Sequence, residues 1–431
     1  MNAPLPLITV KEGDYSALAA RIRGRARDLV SVEDRAQKII ERVKSEGDVA
    51  LRDLTLEFDH AEVSGDLLVD RGQVEAAAAR VDPRLLEAMK FSLTRIRKTQ
   101  GQLLRRLSYS YVSNGFVVRT IARGLPSVGC YIPGGRAAYA STVLMTAGVA
   151  KLAGVKKVVI CTPPDRDGRV NDNILAAASI CGVDEVYRVG GAQSIAALAY
   201  GTSSVPKVAK IVGPGGLYVS VAKRLVSRDV QIDFFAGPTE ILVVGDGTTD
   251  ATTAAWDLVG QAEHGQDSLC GLITWDPGLA GRVRKEAARI SKGIEREEFV
   301  KGALARGFAL VCRDAEAAAE IVNALAPEHL ELLMDDPRAF STKVENAGLI
   351  LCGRYAPCAA SDYCIGTDHV IPTEGYAAAR SSLSVLDFVK LNWIVEGTRG
   401  GLRTALPSLK RLSEAEGLPN HFRSAESRFR R

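Results

Sequence analysis

The chain has 431 residues, too many for one compact core, since single cores stop growing at roughly 250–300 residues, so at least two domains are expected. Hydrophobic residues make up 46% and charged residues 25%, an ordinary globular balance with no compositional case for disorder. Lysine and arginine total 55 against 51 aspartates and glutamates, so no broad field exists to hold a polyanion, and a nucleic-acid role is set aside.

At the N-terminus, Met1 to Asp14 carries Glu12 and Asp14 behind a short apolar stretch, without the basic opening and long apolar core of an export signal. The best membrane candidate, Val143 to Cys161, is interrupted by Lys151, Lys156 and Lys157, short of the run of about 18 uncharged apolar residues a span requires. A cytoplasmic protein without a membrane role is expected. The cysteines at 130, 161, 181, 270, 312, 352, 358 and 364 form no Cys-x-x-Cys pair and sit in apolar surroundings, as reduced core thiols do.

From Ser31 to about Leu107 the pattern is helical, clearest in Ala36 to Glu46 and Arg84 to Leu104, where charged residues fill the gaps between apolar ones. A short apolar strand then enters the turn Pro133-Gly-Gly135, and the helical run Thr142 to Leu152 follows. Strand and helix alternate from here: Val155–Cys161 strand, Asn173–Cys181 helix, Glu185–Val189 strand, Gln193–Tyr200 helix, Lys210–Val212 strand, Gly215–Leu225 helix. That rhythm predicts a parallel sheet covered on both faces.

A second alternating set follows, with strands at Glu240–Val244, Cys270–Trp275 and Phe308–Val311, and helices at Ala251–Glu263, Gly278–Ile290 and Ala315–Leu325. Beyond Asp387 the sequence turns charged and helical, which suggests a small terminal module; Lys410 to Arg431 is basic but interspersed with Glu414, Glu416 and Glu426, as in a solvated helix. The expected class is α/β, with two Rossmann-like parallel-sheet domains, a helical N-terminal segment and a small C-terminal helical arm. Residues 1–130 with 241–385 form the first domain, 131–240 an inserted Rossmann-like domain, and 386–431 the arm.

Only five histidines occur, at 60, 264, 329, 369 and 421. Gln261 and His264 close the predicted Ala251–Glu263 helix three residues apart, on one face, where both can reach one metal; the same spacing also suits a polar helix end in solvent. Asp362 lies in a predicted loop of small residues from which a carboxylate can be aimed at a metal shell. Ala326-Pro-Glu-His-Leu330 reads as the start of a new helix, with proline in its first turn. Glu328 there would gain from the helix dipole and His329 could act as a base near neutral pH, or Glu328 merely supports the helix end. Three glycine turns, Pro133-Gly-Gly135, Gly190-Gly-Ala-Gln193 and Gly213-Pro-Gly-Gly216, each follow a strand and precede a helix; none is a Gly-x-Gly-x-x-Gly fingerprint, but three in one sheet favour a nucleotide site.

Over nearly its whole length the sequence resembles the histidinol dehydrogenase family. The resemblance is carried by Tyr131-Ile-Pro-Gly-Gly135, Gly190-Gly-Ala-Gln-Ser-Ile-Ala-Ala-Leu198, Ala236-Gly-Pro-Thr-Glu-Ile-Leu242, Gln261-Ala-Glu-His264, Ala326-Pro-Glu-His-Leu330, Asp368-His-Val-Ile-Pro-Thr373 and Leu383-Ser-Val385. It implies a homodimeric enzyme with one zinc ion per subunit, held by Gln261, His264 and Asp362 with His421 from the other subunit, and Glu328 and His329 as the acid–base pair. It places Thr239, Gln261, His264, His329, Asp362, His369, Glu416 and His421 at the substrate, and Tyr131, Gln193 and Gly216 at NAD. The activity implied is the four-electron, NAD-linked oxidation of L-histidinol to L-histidine through bound L-histidinal.

Several positions depart from the family pattern. Gly216 stands where asparagine is usual, Thr239 replaces serine, Asp368 replaces asparagine, and Lys98-Thr-Gln100 lacks a histidine often found there. Such changes occur in paralogues such as sulfopropanediol dehydrogenase, which oxidises (R)-2,3-dihydroxypropane-1-sulfonate to sulfolactate. Retained Glu416 favours histidinol, because a carboxylate suits a cationic amine and repels a sulfonate. A reading of another class, an inactive zinc-binding scaffold, is disfavoured by the presence of Glu328, His329 and all four implied ligands.

Overall fold

The computed structural model describes residues 4–10, 15–23, 29–134, 138–235 and 237–430; Gly135 of the first glycine turn and Ala236 lie outside them. The predicted α/β class is what the chain adopts, in two parallel sheets and one antiparallel sheet. Strand β1 (Leu7–Thr9) precedes the helical opening, which is followed by β2 (Ser110–Ser113) and β3 (Phe116–Gly124) as a hairpin. Next come β4 (Ser127–Tyr131), β5 (Lys157–Thr162), β6 (Glu185–Arg188), β7 (Lys210–Val212) and β8 (Gln231–Ile232). The second run comprises β9 (Glu240–Gly245), β10 (Leu269–Thr274), β11 (Phe308–Val311), β12 (His329–Leu333) and β13 (Leu349–Cys352), and β14 (Val389–Gly397) comes last.

The five-stranded sheet has the order β6-β5-β4-β7-β8, all parallel, so the winding reverses between β4 and β7. Its strands are buried on both faces because alternate residues feed two cores. Val158 and Ile160 join Val143 of the Ala140–Leu152 helix, whereas Val159 and Cys161 join Ile195 and Leu198 of the Gly191–Tyr200 helix. The six-stranded sheet, β1-β11-β10-β9-β12-β13, repeats the principle. Ile241 and Val243 pack with Leu258 on one side, and Leu242 and Val244 with Ile321 and Leu325 on the other.

Three local expectations are corrected. The segment after Pro327 is not a helix start but β12, fully buried between β9 and β13; a helix could not supply the two ladders that satisfy its backbone there. The Ala315–Leu325 helix ends as Ala326 turns left-handed at φ 40°, redirecting the chain into the sheet. Past Asp387 the chain first forms β14, rich in Trp, Ile and Val, and pairs it along its whole length with β3 before the helices Arg399–Ala415 and Pro419–Glu426. The β2-β3-β14 sheet leaves Val112, Trp393 and Val395 exposed. Finally, Asp362 belongs to a short helix, Cys358–Tyr363, rather than a loop. Among the described residues no helix is long and apolar enough to cross a membrane.

Candidate active site

Adjacent parallel strands bring the residues that precede them side by side. With His329 in register with Ile241, Glu328 lies beside Thr239 and Glu240 at the amino ends of β12 and β9. Glu328 Oε2 accepts from the Thr239 hydroxyl at 2.7 Å and from the Glu240 N–H at 2.6 Å. Thr239 Oγ1 in turn accepts from Gln261 Nε2 at 2.5 Å. Gln261 sits in the last turn of the Ala251–Ala262 helix, whose start Asp250 caps by accepting from the Thr252 N–H. Anchoring the amide by its nitrogen turns Gln261 Oε1 toward the Cys358 thiol, 3.5 Å away.

His329 is almost wholly buried, and its Nδ1 lies 3.0 Å from the Glu240 carbonyl oxygen. A carbonyl only accepts, so Nδ1 carries a hydrogen and the exchangeable position is Nε2. Nε2 has no hydrogen-bond partner and faces Asp362 Oδ1 at 3.8 Å. Burial works against a charged ring, but Glu328, with Oε2 3.5 Å from Nδ1, and Cys358 outweigh it and raise the imidazole well above its ordinary range. Burial likewise lifts the Asp362 carboxyl to about 6, against the pull of His329, and the Cys358 thiol to about 11.

The donor atoms of His329, Cys358 and Asp362 lie within 4.8 Å of one another, and Gln261 Oε1 adjoins the same thiol. Oxygen donors from Gln261 and Asp362 converge here with the Cys358 thiol beside them, a mixed set that suits a divalent ion such as zinc, while the unpartnered His329 Nε2 faces the same space as a group able to take a proton. Cys358, read from sequence as a core thiol, is the member of this cluster that was missed. Its signal was the four-residue spacing to Asp362, which puts both on one face of a helical turn.

His369 ties the site to the other sheet. Its Nδ1 lies 3.1 Å from the Asp362 carbonyl oxygen and its Nε2 3.2 Å from the hydroxyl of Thr142, in the Ala140–Leu152 helix. Burial lowers this imidazole to about 4, so it is neutral at physiological pH. His264 follows the end of the Ala251–Ala262 helix on the solvent side; loss of water lowers its imidazole, with Glu328 opposing and His329 assisting.

Thus Thr239, Gln261, Glu328, His329, Asp362 and His369 are neighbours, whereas His264 is exposed beyond the end of the Gln261 helix and outside the cluster of donor atoms. Glu416 and His421 are not among them within one chain. Both are exposed on the C-terminal helical pair, and their backbone N–H groups bond within it, Glu416 to the carbonyls of Leu412 and Glu414 and His421 to that of Leu418.

The glycine turns lie elsewhere, at the carboxyl ends of the five-stranded sheet: the described part of the first after β4 and the third after β7, on either side of the point where the strand order reverses and α/β sheets bind ligands, and the second after the edge strand β6. Tyr131 ends β4, and its carbonyl would meet a Cβ on Gly213 at 2.2 Å; with φ at +118° that position admits only glycine. Behind the turn is a buried ion pair. Asp233 Oδ2 accepts from the Gly213 N–H at 2.8 Å, Lys223 Nζ donates to the Gly213 carbonyl at 2.9 Å, and the two side chains pair with each other. Gln193 is buried, and among the described residues neither of its amide atoms has a hydrogen-bond partner, which leaves a donor and an acceptor of the kind that suit the polar groups of a nucleotide. Gly216 begins the Leu217–Val226 helix as its N-cap, with open space where a side chain would project.

Comparison with known proteins agrees over the full length. A family model described as "Histidinol dehydrogenase" matches residues 23–429. The chain is 39% identical to a histidinol dehydrogenase of Methanothermobacter thermautotrophicus over 98% of this chain and 100% of that protein. It is 42% identical to that of Moorella thermoacetica over 98% and 99%. The crystal structure of histidinol dehydrogenase from Elizabethkingia anophelis superposes with a TM-score of 0.92 at 31% identity, covering 100% of this chain and 99% of that one.

Proposed function

Because the chain belongs to the histidinol dehydrogenase family and is an oxidoreductase acting on a small molecule, we propose that it oxidises L-histidinol to L-histidine through L-histidinal, with two NAD molecules reduced per substrate. In this reading residues 131–240 carry the NAD site, 241–385 the metal site, and 386–431 an arm that completes the site of a second copy; the helices between residues 39 and 96, expected in one unit with the metal site, pack instead on the five-stranded sheet. Gln261, His264 and Asp362, with His421 of the partner subunit, hold one zinc ion. Tyr131, Gln193 and Gly216 line the NAD site, and Thr239, His369 and Glu416 of the partner subunit contact the substrate. When bound, zinc supplies Lewis acidity at the substrate oxygen and NAD supplies the hydride acceptor.

The chain's own groups handle the protons. In its neutral form His329 presents Nε2 to the substrate hydroxyl and takes its proton as a hydride leaves the carbon; the nearby Glu328 carboxylate, which favours the charged ring, then stabilises the imidazolium. Glu328 Oε2 is saturated by Thr239 and Glu240, which leaves Oε1 to accept a proton from water as that water adds to the aldehyde. A second hydride then leaves the hydrate and a carboxylate remains. One water oxygen enters, and two hydrides and three protons depart, one proton by way of His329, one by way of Glu328 and the last from the hydrate to solvent.

The observation that carries this reading is the chain of contacts Gln261–Thr239–Glu328–His329–Asp362, buried where both sheets meet. Purified, zinc-loaded protein given L-histidinol and NAD should form two NADH per histidine. Protein that ignores histidinol yet turns over dihydroxypropanesulfonate would overturn the substrate assignment.

A further inference from the structure

The side chain of Glu240, the first residue of β9, has no task in the chemistry above, yet three of the residue's four polar atoms meet the acid–base pair. Its N–H donates to Glu328 Oε2 at 2.6 Å, and its carbonyl oxygen lies 3.0 Å from His329 Nδ1. The buried side chain turns back toward the same neighbour, with Oε2 accepting the Glu328 N–H at 3.3 Å. The two glutamates thus bond reciprocally, carboxyl to backbone in both directions. The fourth atom, Oε1, accepts the Glu374 N–H at 2.8 Å.

These bonds fasten places that the sheet itself leaves loose. Glu328 stands one residue ahead of His329, the first paired position of β12, so its N–H finds an acceptor in the Glu240 carboxyl rather than in a ladder. Glu374 is held at φ 55°, in the left-handed region that glutamate rarely adopts, and a second bond, from the Gly237 N–H to Thr373 Oγ1, ties the same turn to the approach of β9. His369 lies five residues before Glu374 on that segment. A carboxylate accepts at both oxygens, so one side chain serves both N–H groups; an amide would accept from one and aim a donor at the other.

We propose that Glu240 is a positioning residue for the reaction, its carboxyl clamping the Glu328 backbone and the Thr373–Glu374 turn to β9 and so fixing the direction in which Glu328 Oε1 meets water. The proposal rests on the functional reading above. Glu240 touches no reacting atom; it acts through Glu328.

The test is a double-mutant cycle of Glu240→Gln and Glu328→Gln, followed in single turnover of zinc-loaded protein with L-histidinol and NAD. Glu240→Gln should slow the second NADH phase about 10- to 100-fold, the effect of one bond left unmade beside a general base, with KM for NAD within about twofold of the parent. In the Glu328→Gln background the same change should slow that phase by less than about threefold, because a residue that acts through Glu328 has nothing left to position. Losses that multiply, as those of independent sites do, or a Glu240→Gln protein as fast as the parent, would overturn the proposal. Should Glu240→Gln not fold, hydrogen exchange in the parent decides: the Glu328 and Glu374 amides should exchange at least about 100-fold more slowly than in an unfolded chain, and unprotected amides overturn the clamp. Parent protein that leaves histidinol unchanged overturns the functional reading, and the role of Glu240 with it, whereas an active parent with multiplying losses overturns that role alone.

Discussion

Thr239 and Glu328 stand 89 positions apart in the chain, yet the hydroxyl of one donates to the carboxylate of the other at 2.7 Å. Since the same hydroxyl receives the Gln261 amide, it orients an acid–base group and a candidate metal ligand together. Thr239→Val should cost about 1.5–3 kcal/mol, the worth of a hydrogen bond to a charged group, or roughly 10- to 100-fold in kcat/KM. Thr239→Ser should retain most activity. Steady-state kinetics of the two variants check this, and a fully active valine variant would refute it.

Glu328→Gln separates the two oxidations. In the proposed chemistry alcohol oxidation relies first on His329, with Glu328 only supporting it, whereas hydration of the aldehyde relies directly on the Glu328 carboxylate. Single-turnover mixing should show a first NADH formed and a second slowed by about 10²- to 10⁴-fold, the usual range for losing a general base. Equal slowing of both phases would contradict this division of labour.

Gly216→Asn should strengthen NAD binding. A Cβ at this position meets nothing within 4 Å, and the backbone lies outside the left-handed region, so the larger residue enters without strain. The added amide can reach the cofactor, and a fall of about three- to tenfold in KM for NAD, with KM for the alcohol unchanged, is the expected result. Fluorescence titration with NADH offers an independent readout.

Asp368 is buried, its Oδ1 accepting from the Val370 N–H at 2.8 Å and its Oδ2 without a partner. Burial foremost, then Asp387 and Asp233, raise its carboxyl well above 3.8, against the Val370 bond. The folded state therefore holds this proton more tightly than the unfolded chain. Its contribution to stability is complete below about pH 3.8 and is lost as pH rises toward the folded value. Asp368→Asn should be close to neutral at pH 4 and stabilising by about 1–3 kcal/mol at pH 8, as read from urea denaturation midpoints. A variant less stable than the parent at pH 8 would show that this carboxyl is ionised and paired.

If His421 completes the zinc shell of a second copy, mixing inactive Asp362→Ala and His421→Ala subunits should restore activity. Half of the reassociated dimers are hybrids, each with one site free of both substitutions, giving about a quarter of parental turnover. Two variants that stay inactive in every mixture would place His421 and Asp362 in the same subunit's site.

The α/β architecture was legible because buried parallel strands such as Val158 to Cys161 and Ile241 to Val244 announce themselves as continuous apolar runs between helices. Ala326-Pro-Glu-His-Leu330 misled because proline opens helices and strand approaches alike; only the ladders of β9 and β13 decide between them. Strand β14 was hidden for a similar reason, since its partner β3 lies more than 260 positions earlier and no local signal reveals such pairing. Family resemblance supplied Gln261, His264 and Asp362 as a set, but not Cys358, nor the Glu331 carboxyl that accepts the Cys358 N–H behind them. Such supporting contacts join distant segments, and nothing in local spacing marks them.

The Lys223–Asp233 pair clasps Gly213 by both its N–H and its carbonyl. A glycine turn left to itself would sample many backbone states, and a ligand settling on it would lose affinity to the entropy of ordering them. Here that ordering is accomplished during folding, at the expense of desolvating two charges, so in the proposed reaction the crevice would meet each incoming nucleotide already in shape. Repeated exchange of a spent cofactor for a fresh one, as a two-step oxidation demands, then needs no rebuilding of the loop between turnovers.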